Sequence, residues 1–378
     1  MSKYRTGVLI FSGYNQRAII SFCRVCEKYK IPMFIVSSKN DMIENTIYKK
    51  YIIYKRENSN LNLNLIEKIS KVLKKNTEIK KYIILPSSEY LNRFFLDNRI
   101  YLYELGMHLP LVDEDLYIKI SDKYSFGKIC SNYNIKTPKN IDVDTIDKFP
   151  IVIKPKNYIS QRGNIFSPII IKTREELEEN LNILNEDEFY IQEYVDGQSY
   201  YLLYYFKKDG DYISFSQKNI LQQDLGKSII SAEVSGVHEE KISRDFINLF
   251  KDIKYEGLIM VEIKKYKNEY YMIEANPRLW GPSQLFVDAN IPIFENFIID
   301  VGFNIDLKKE PIDYEVKYFW YGGVKQIERE NRNLVYHCKI DLHDIETMNS
   351  YMKYDIYKRY DTINIYNYEV EGRLKDGY

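Results

Sequence analysis

Residues that commonly bind transition metals or act as nucleophiles are scarce in this chain: four cysteines and four histidines among 378 residues. Cys23, Cys26, Cys130 and Cys338 are scattered. The Cys23-x-x-Cys26 pair stands alone inside a helical pattern and reads as buried helix residues rather than a redox or metal motif. The histidines show no ligand spacing, so a His-based zinc site or catalytic triad has no support. Charge of one sign is not in excess. Lys+Arg and Asp+Glu are both 54, which gives no basic surplus for nucleic acid or an anionic membrane. No apolar run approaches the roughly 18 residues of a membrane span. The apolar segment within MSKYRTGVLIFSGYNQ is too short for a signal peptide, so the cytosol is the expected location. Internal repeats and low-complexity linkers are missing too. What remains is a globular chain of 45.3 kDa and 45% hydrophobic residues, enough for two or three domains.

The first hundred residues alternate apolar strand patterns with helical ones. Gly7–Phe11, Pro32–Ser38, Tyr51–Tyr54 and Tyr82–Leu85 read as strands, with helices over Asn15–Lys30 and Ile66–Lys74. Alternation of this kind implies a doubly wound parallel sheet. Gly-x-Gly-x-x-Gly is absent after the first strand, which argues against a dinucleotide site. The strand ends near Ser12–Tyr14 and Ser87–Glu89 are where such a sheet presents its crevice.

Gly257–Gly281, GLIMVEIKKYKNEYYMIEANPRLWG, reads as a β-hairpin. Leu258, Met260 and Glu262 alternate with Ile259, Val261 and Ile263; Met272, Glu274 and Asn276 share a face of the second strand. Glu262 and Glu274 are equidistant from Asn268, so a turn centred there sets them directly opposite. Like charges so placed repel, by about 4 kcal/mol at 4 Å and an effective dielectric of 20. Either the two splay into solvent, or a divalent cation neutralises them. Glutamate and asparagine oxygens are hard ligands suited to Mg²⁺. Arg278 adds a planar cation suited to phosphate or carboxylate. In Phe149–Pro155, Lys154 shares a strand face with Val152 among apolar neighbours. An unpaired buried lysine costs several kcal/mol, on the order expected for any buried charge, unless an anion meets it.

A glutamate twelve residues before Glu-x-Asn-Pro-Arg resembles the metal-binding hairpin of the ATP-grasp superfamily, and most closely its carbamoyl-phosphate-synthase-like carboxylate–amine ligases. Pro86-Ser87-Ser88-Glu89, Ser121-Asp122-Lys123, Ile153-Lys154-Pro155 and Gln192-Glu193-Tyr194-Val195-x-Gly197 precede it in the family's order. The resemblance covers about residues 5–300. It implies an α/β and α+β architecture: a pre-grasp Rossmann-like domain over 1–112, an ATP-grasp domain over 113–310 and a C-terminal extension over 311–378. The small lobe would span about 113–192 and the large lobe about 193–310.

The resemblance also assigns roles. Lys123, on a helix that Ser121 is expected to cap, and Lys154 would hold nucleotide phosphates. Gln192, Glu193, Tyr194 and Val195 would line the adenine site, with Glu193 at the ribose or adenine edge. Glu262, Glu274 and Asn276 would carry Mg²⁺ or Mn²⁺, and Arg278 would stabilise the acyl phosphate or the transferred phosphoryl group. Lys218 either reaches the γ-phosphate or is a surface lysine. Two departures stand out. The loop over Asn157–Phe166 has one glycine, Gly163, where many members have several, and Ser199 replaces a frequent acidic residue.

The expected activity is ATP-dependent joining of a small-molecule carboxylate to an amine. A kinase or carboxylase-like member, or a nucleotide-binding protein without catalysis, is the alternative. Past Pro311 no motif matches. Tyr318–Tyr321 is aromatic enough to pack on the N-terminal domain, the large lobe or a second subunit, so a homodimer stays open. Gly322-Gly323 reads as a sharp turn, and the segment is expected at the acceptor end of the site rather than the nucleotide end.

Overall fold

The computed structural model describes residues 5–372, except 40, 59, 77, 161–164, 183, 185, 186, 225, 339 and 343. The chain opens on five parallel strands: β1 (Thr6–Phe11), β2 (Met33–Ser38), β3 (Ile52–Arg56), β4 (Lys81–Ile84) and β5 (Met107–His108), in the order β3-β2-β1-β4-β5. Val8, Leu9, Ile10 and Phe11 are fully buried because helices cover both faces of this sheet, as continuous apolar runs require. Helix Gln16–Tyr29 buries Cys23 and Cys26, and burial pushes both thiols far above their ordinary pKa.

A small antiparallel sheet follows, built from β6 (Ile151–Pro155), β7 (Ile169–Ile171) and β8 (Phe189–Glu193) in the order β7-β6-β8. The large antiparallel sheet contains β9 (Gln198–Phe206), β10 (Tyr212–Gln223), β11 (Ile229–Ser235), β12 (Gly257–Tyr266), β13 (Glu269–Asn276), β14 (Lys317–Phe319) and β15 (Leu334–Tyr336). Its path is β13-β12-β9-β10-β11-β14, with β15 paired to β10. One face, carrying Leu203, Phe215 and Met260, packs on the N-terminal domain through residues such as Phe22, Phe294 and Phe297. The other, carrying Leu202, Tyr204, Ile259 and Val261, packs on helix Lys241–Asp252. Each fully buried phenylalanine contributes about 1.5–3 kcal/mol by area removed from water.

Three expectations change here. Ile120, Phe126, Cys130 and Ile135 pack beneath the large sheet with Phe246 and Phe250, so the helices Glu114–Ser121 and Lys123–Ser131 belong to that core and not to the small sheet's. Ser121 does not cap the second helix. It ends the first one, and its hydroxyl accepts from Arg93 Nη2 at 3.0 Å. Gly322-Gly323 makes no turn but sits inside helix Tyr321–Arg329. A side chain at Gly322 would collide with Glu369, and one at Gly323 with the Trp320 ring.

Candidate active site

Lys267 and Asn268 both take positive φ, 47° and 65°, forming a two-residue turn that suits the twist of flanking strands. The hairpin therefore centres between them and pairs Tyr266 with Glu269 and Ile263 with Met272. Continued unbroken, this register would set Ile273 opposite Glu262 and turn Glu274 toward the face of Val261, inside the core. A register shift between Glu262 and Ile263 leaves Ile273 as one extra residue, and Glu262 pairs with Glu274. The bulge aims the second carboxylate into the site.

The two glutamates then differ. Glu274 Oε2 meets Lys123 Nζ at 2.6 Å, and its Oε1 accepts from Asn276 Nδ2 at 2.7 Å. Burial alone would raise its pKa, but Lys123, Asn276 and Arg278 outweigh burial and hold it down at about 2. Glu262 is 8% exposed and, among the described residues, accepts only from Ser199 Oγ, at 3.0 Å. Burial first, then Glu274, push its pKa up to about 7. Ser199 in turn accepts from Asn219 Nδ2 at 2.8 Å, whose Oδ1 accepts from Gln217 Nε2 at 2.8 Å. Arg278 Nη2 donates to Asn276 Oδ1 at 2.9 Å, while its Nε is buried with no partner among the described residues.

Lys154 faces this cluster from the small sheet. Val152 pairs with Gln192 and Lys154 with Tyr190, so these four share a face, opposite Ile151, Ile153 and Ile191. Lys154 is 5% exposed and makes no ion pair or hydrogen bond among the described residues. Burial, and then Lys123, pull its pKa down to about 8; Glu274 and Glu262 oppose them. Gln192 Nε2 donates to the Pro138 carbonyl and to Asn140 Oδ1, leaving its Oε1 buried without a partner among the described residues. Glu193 Oε1 accepts from the Lys139 amide at 3.0 Å. Lys264 Nζ donates to the Val195 carbonyl at 3.1 Å and lies 4.9 Å from the Tyr194 ring centroid.

Lys218 is not brought to this cluster. Glu262 pairs with Tyr201 and Tyr201 with Gln217, so Gln217 shares the glutamates' face and Lys218 occupies the other, paired with Glu233. The loop expected over the phosphates falls largely at 161–164, outside the described residues. The strand ends of the N-terminal sheet do join the site. Asn15 Nδ2 donates to the carbonyls of Ser87, at 3.1 Å, and Leu279, at 2.7 Å, and the Leu279 amide donates to the Pro86 carbonyl at 3.0 Å.

Sequence reasoning missed Lys264, although it lies two residues beyond Glu262 on the same strand face. It missed the Ser199–Asn219–Gln217 chain, whose members meet only once β9, β10 and β12 are in register. It also missed His337. Burial, and after it the Lys264 charge, lower the pKa of His337 to about 4, with Asp196 opposing. Residue 337 follows β15, and its Nε2 is 2.9 Å from Gln222 Oε1. The C-terminal stretch therefore comes within reach of the Lys264 and Asp196 charges.

No family model matches the chain. D-aspartate ligase from Enterococcus faecium (strain Aus0004) is 24% identical over 238 residues, which are 56% of this chain and 56% of the relative, so the chain spans only about half the length of that protein. Among solved structures, biotin carboxylase from Campylobacter jejuni in complex with β-γ-ATP superposes with a TM-score of 0.61 at 15% identity, over 82% of this chain and 74% of the other. N5-carboxyaminoimidazole synthetase from Staphylococcus aureus, complexed with ADP, gives 0.59 at 12% identity over 86% and 85%. At these identities the structural likeness is one of fold.

Proposed function

On the premise that the chain is by fold a member of the ATP-grasp superfamily, we propose that it is an ATP-dependent ligase that activates a carboxylate as an acyl phosphate and joins it to an amine. The observation that carries the reading is the bulged hairpin. It spends a register shift to place Glu274 against Glu262, facing a buried, unpartnered Lys154. A buried lysine without an anion and a carboxylate pushed up to about 7 are both unfavourable as they stand. Triphosphate oxygens and a divalent cation would relieve both.

The residues fit such a pair of groups. Glu262, Glu274 and Asn276 offer two carboxylates and an amide oxygen on one face. No group of three or more His, Cys, Asp or Glu that could hold a metal occurs among the described residues. Water and phosphate would therefore complete an oxygen-ligand shell of the kind Mg²⁺ prefers. Bound there, Mg²⁺ or Mn²⁺ would screen the charge on the phosphate oxygens. Lys154 and Lys123 would orient the phosphates. Lys123, 2.6 Å from Glu274 Oε2, would also hold that carboxylate in place. The buried Nε of Arg278 would donate to the acyl phosphate or the phosphoryl group in transfer. Gln192 Oε1, Tyr194 and the Val195 backbone would line the adenine end. No side-chain nucleophile is needed, because positioning and charge stabilisation supply most of the acceleration in this chemistry.

We place no phosphate role on Lys218. ADP release measured with Mg²⁺ against panels of carboxylates and amines tests the proposal. Release that requires one carboxylate and one amine supports it. Release with bicarbonate or a hydroxyl acceptor and no amine would support the carboxylase-like or kinase alternative instead.

A further inference from the structure

Arg17 lies in the first turn of helix Gln16–Tyr29, just past the carboxyl end of β1. One side of its guanidinium is tied down: Nη1 donates to the Ile229 carbonyl at 2.9 Å and to the Tyr318 hydroxyl at 3.2 Å. Its plane stacks on Trp320, with Cζ 3.9 Å from the ring centroid. Trp320 is itself fixed, because its Nε1 donates to Glu369 Oε2 at 2.8 Å. The N-terminal domain, the large sheet and the C-terminal stretch thus hold one arginine still.

The remaining Nε–Nη2 edge makes no hydrogen bond among the described residues. That edge faces Gly281, where a Cβ would lie 3.2 Å from Nη2 and 3.9 Å from Nε. Glycine keeps the space before the edge clear. Gly281 is three residues beyond Arg278 on the same strand exit. Tyr201, paired with Glu262, feels both arginines: burial raises its hydroxyl pKa, Glu262 and Glu274 add to this, and Arg278 and Arg17 oppose it. The Tyr201 hydroxyl has no hydrogen-bond partner among the described residues, and Gln16 Nε2, on the residue before Arg17, is a buried donor without one among them. A free guanidinium edge offers two parallel N–H donors at carboxylate spacing. Holding the fork in advance removes the entropy cost of ordering it on binding.

We propose that the Nε–Nη2 edge of Arg17, together with the Tyr201 hydroxyl, binds a carboxylate of the acceptor substrate between Arg278 and Trp320. This rests on the ligase reading, and the test separates the two. Full-length protein is first titrated calorimetrically with Mg²⁺·AMP-PNP. The saturated complex is then titrated with glycine, D-aspartate and succinate, and with glycinamide, D-aspartic diamide and succinamide as controls that lack the carboxylate. At least one carboxylate should bind and its amide should not. Arg17→Lys, which removes the fork, and Gly281→Ala, which fills the space before it, should each weaken that binding at least tenfold. Both should keep the affinity for Mg²⁺·AMP-PNP within threefold, which also shows that they fold. Carboxylate binding unchanged in the folded variants, or no carboxylate bound by the nucleotide-saturated wild type, would overturn the proposal and leave the ligase reading in place. Failure of the wild type to bind Mg²⁺·AMP-PNP would overturn the ligase reading itself.

Discussion

In the β12–β13 hairpin, Glu274 is surrounded by Lys123, Asn276 and Arg278, and its carboxyl stays ionised. On the small sheet opposite, Lys154 is more deeply buried and has no counter-ion among the described residues. Both regions bury charge beside apolar strands, yet only one neutralises it internally. The difference shows what each side lacks. The hairpin keeps one carboxylate, Glu262, short of a cation, and the small sheet keeps one cation short of an anion. A metal-bound polyphosphate fits both deficits.

The comparison breaks most severely at Glu274. Glu274→Gln keeps the shape but removes the charge that Lys123 and a metal would share. Turnover, followed as Mg²⁺-dependent ADP release, should fall at least about 10²-fold, the scale of losing one electrostatic stabiliser. Unchanged turnover in a folded Glu274→Gln protein would remove the metal assignment.

Next in size is the energetic consequence of leaving Lys154 unpaired. Its folded pKa of about 8 lies below the ordinary 10.5, so the native state resists protonation more than the unfolded chain does. The penalty is full below pH 8, where both states are protonated, and it disappears as pH rises from 8 through 10.5. Lys154→Met should therefore stabilise the nucleotide-free protein at pH 7, by up to about 3 kcal/mol at 1.36 kcal/mol per pKa unit. Denaturant melts at pH 7 and pH 10 should show that gain shrinking at the higher pH. A gain that grows with pH would contradict the burial argument.

The same lysine sharpens the contrast between the two faces of the large sheet. Lys154→Ala should weaken Mg²⁺·AMP-PNP binding at least about tenfold, as expected for a charge-assisted contact. Lys218→Ala, on the far face, should change it less than twofold. Equal losses in the two titrations would mean that the face assignment carries no information about phosphate. Trp320→Ala should likewise have little effect on nucleotide affinity. The melting temperature should drop because Arg17 loses its platform, while the Kd for Mg²⁺·AMP-PNP stays within about threefold, since the ring touches neither lysine nor glutamate of the cluster.

Much of this was legible before any coordinates. Apolar runs marked strands of the parallel sheet, and period-2 alternation marked the hairpin and the buried face of Lys154. What was illegible depends on pairing between distant segments. The expected turn centre at Asn268 led to the observed pairing of Glu262 with Glu274, but for a different reason: the turn lies half a residue earlier and the bulge at Ile273 makes up the difference. No local signal in Tyr271-Met272-Ile273 marks a bulge. Both readings of Lys218 stay open in the sequence because a strand residue has two possible faces, and only the β12–β9–β10 register decides between them. Arg17 meets Ile229 and Tyr318 across more than two hundred residues, a contact that composition and spacing do not encode. Ser121 failed as a cap because the preceding helix runs to it, leaving Asp122 at the junction with its carboxylate on Arg93 at 2.7 Å.

The account rests on the hairpin carboxylates and the small-sheet lysine acting together on a metal-bound triphosphate. Calorimetric titration of AMP-PNP into the wild type and into Glu274→Gln, each with and without Mg²⁺, tests this most directly. The prediction is that Mg²⁺ tightens binding at least tenfold in the wild type and that this gain is lost in the variant. Equal affinity with and without Mg²⁺ in the wild type, or a Mg²⁺ gain that survives Glu274→Gln, would contradict it.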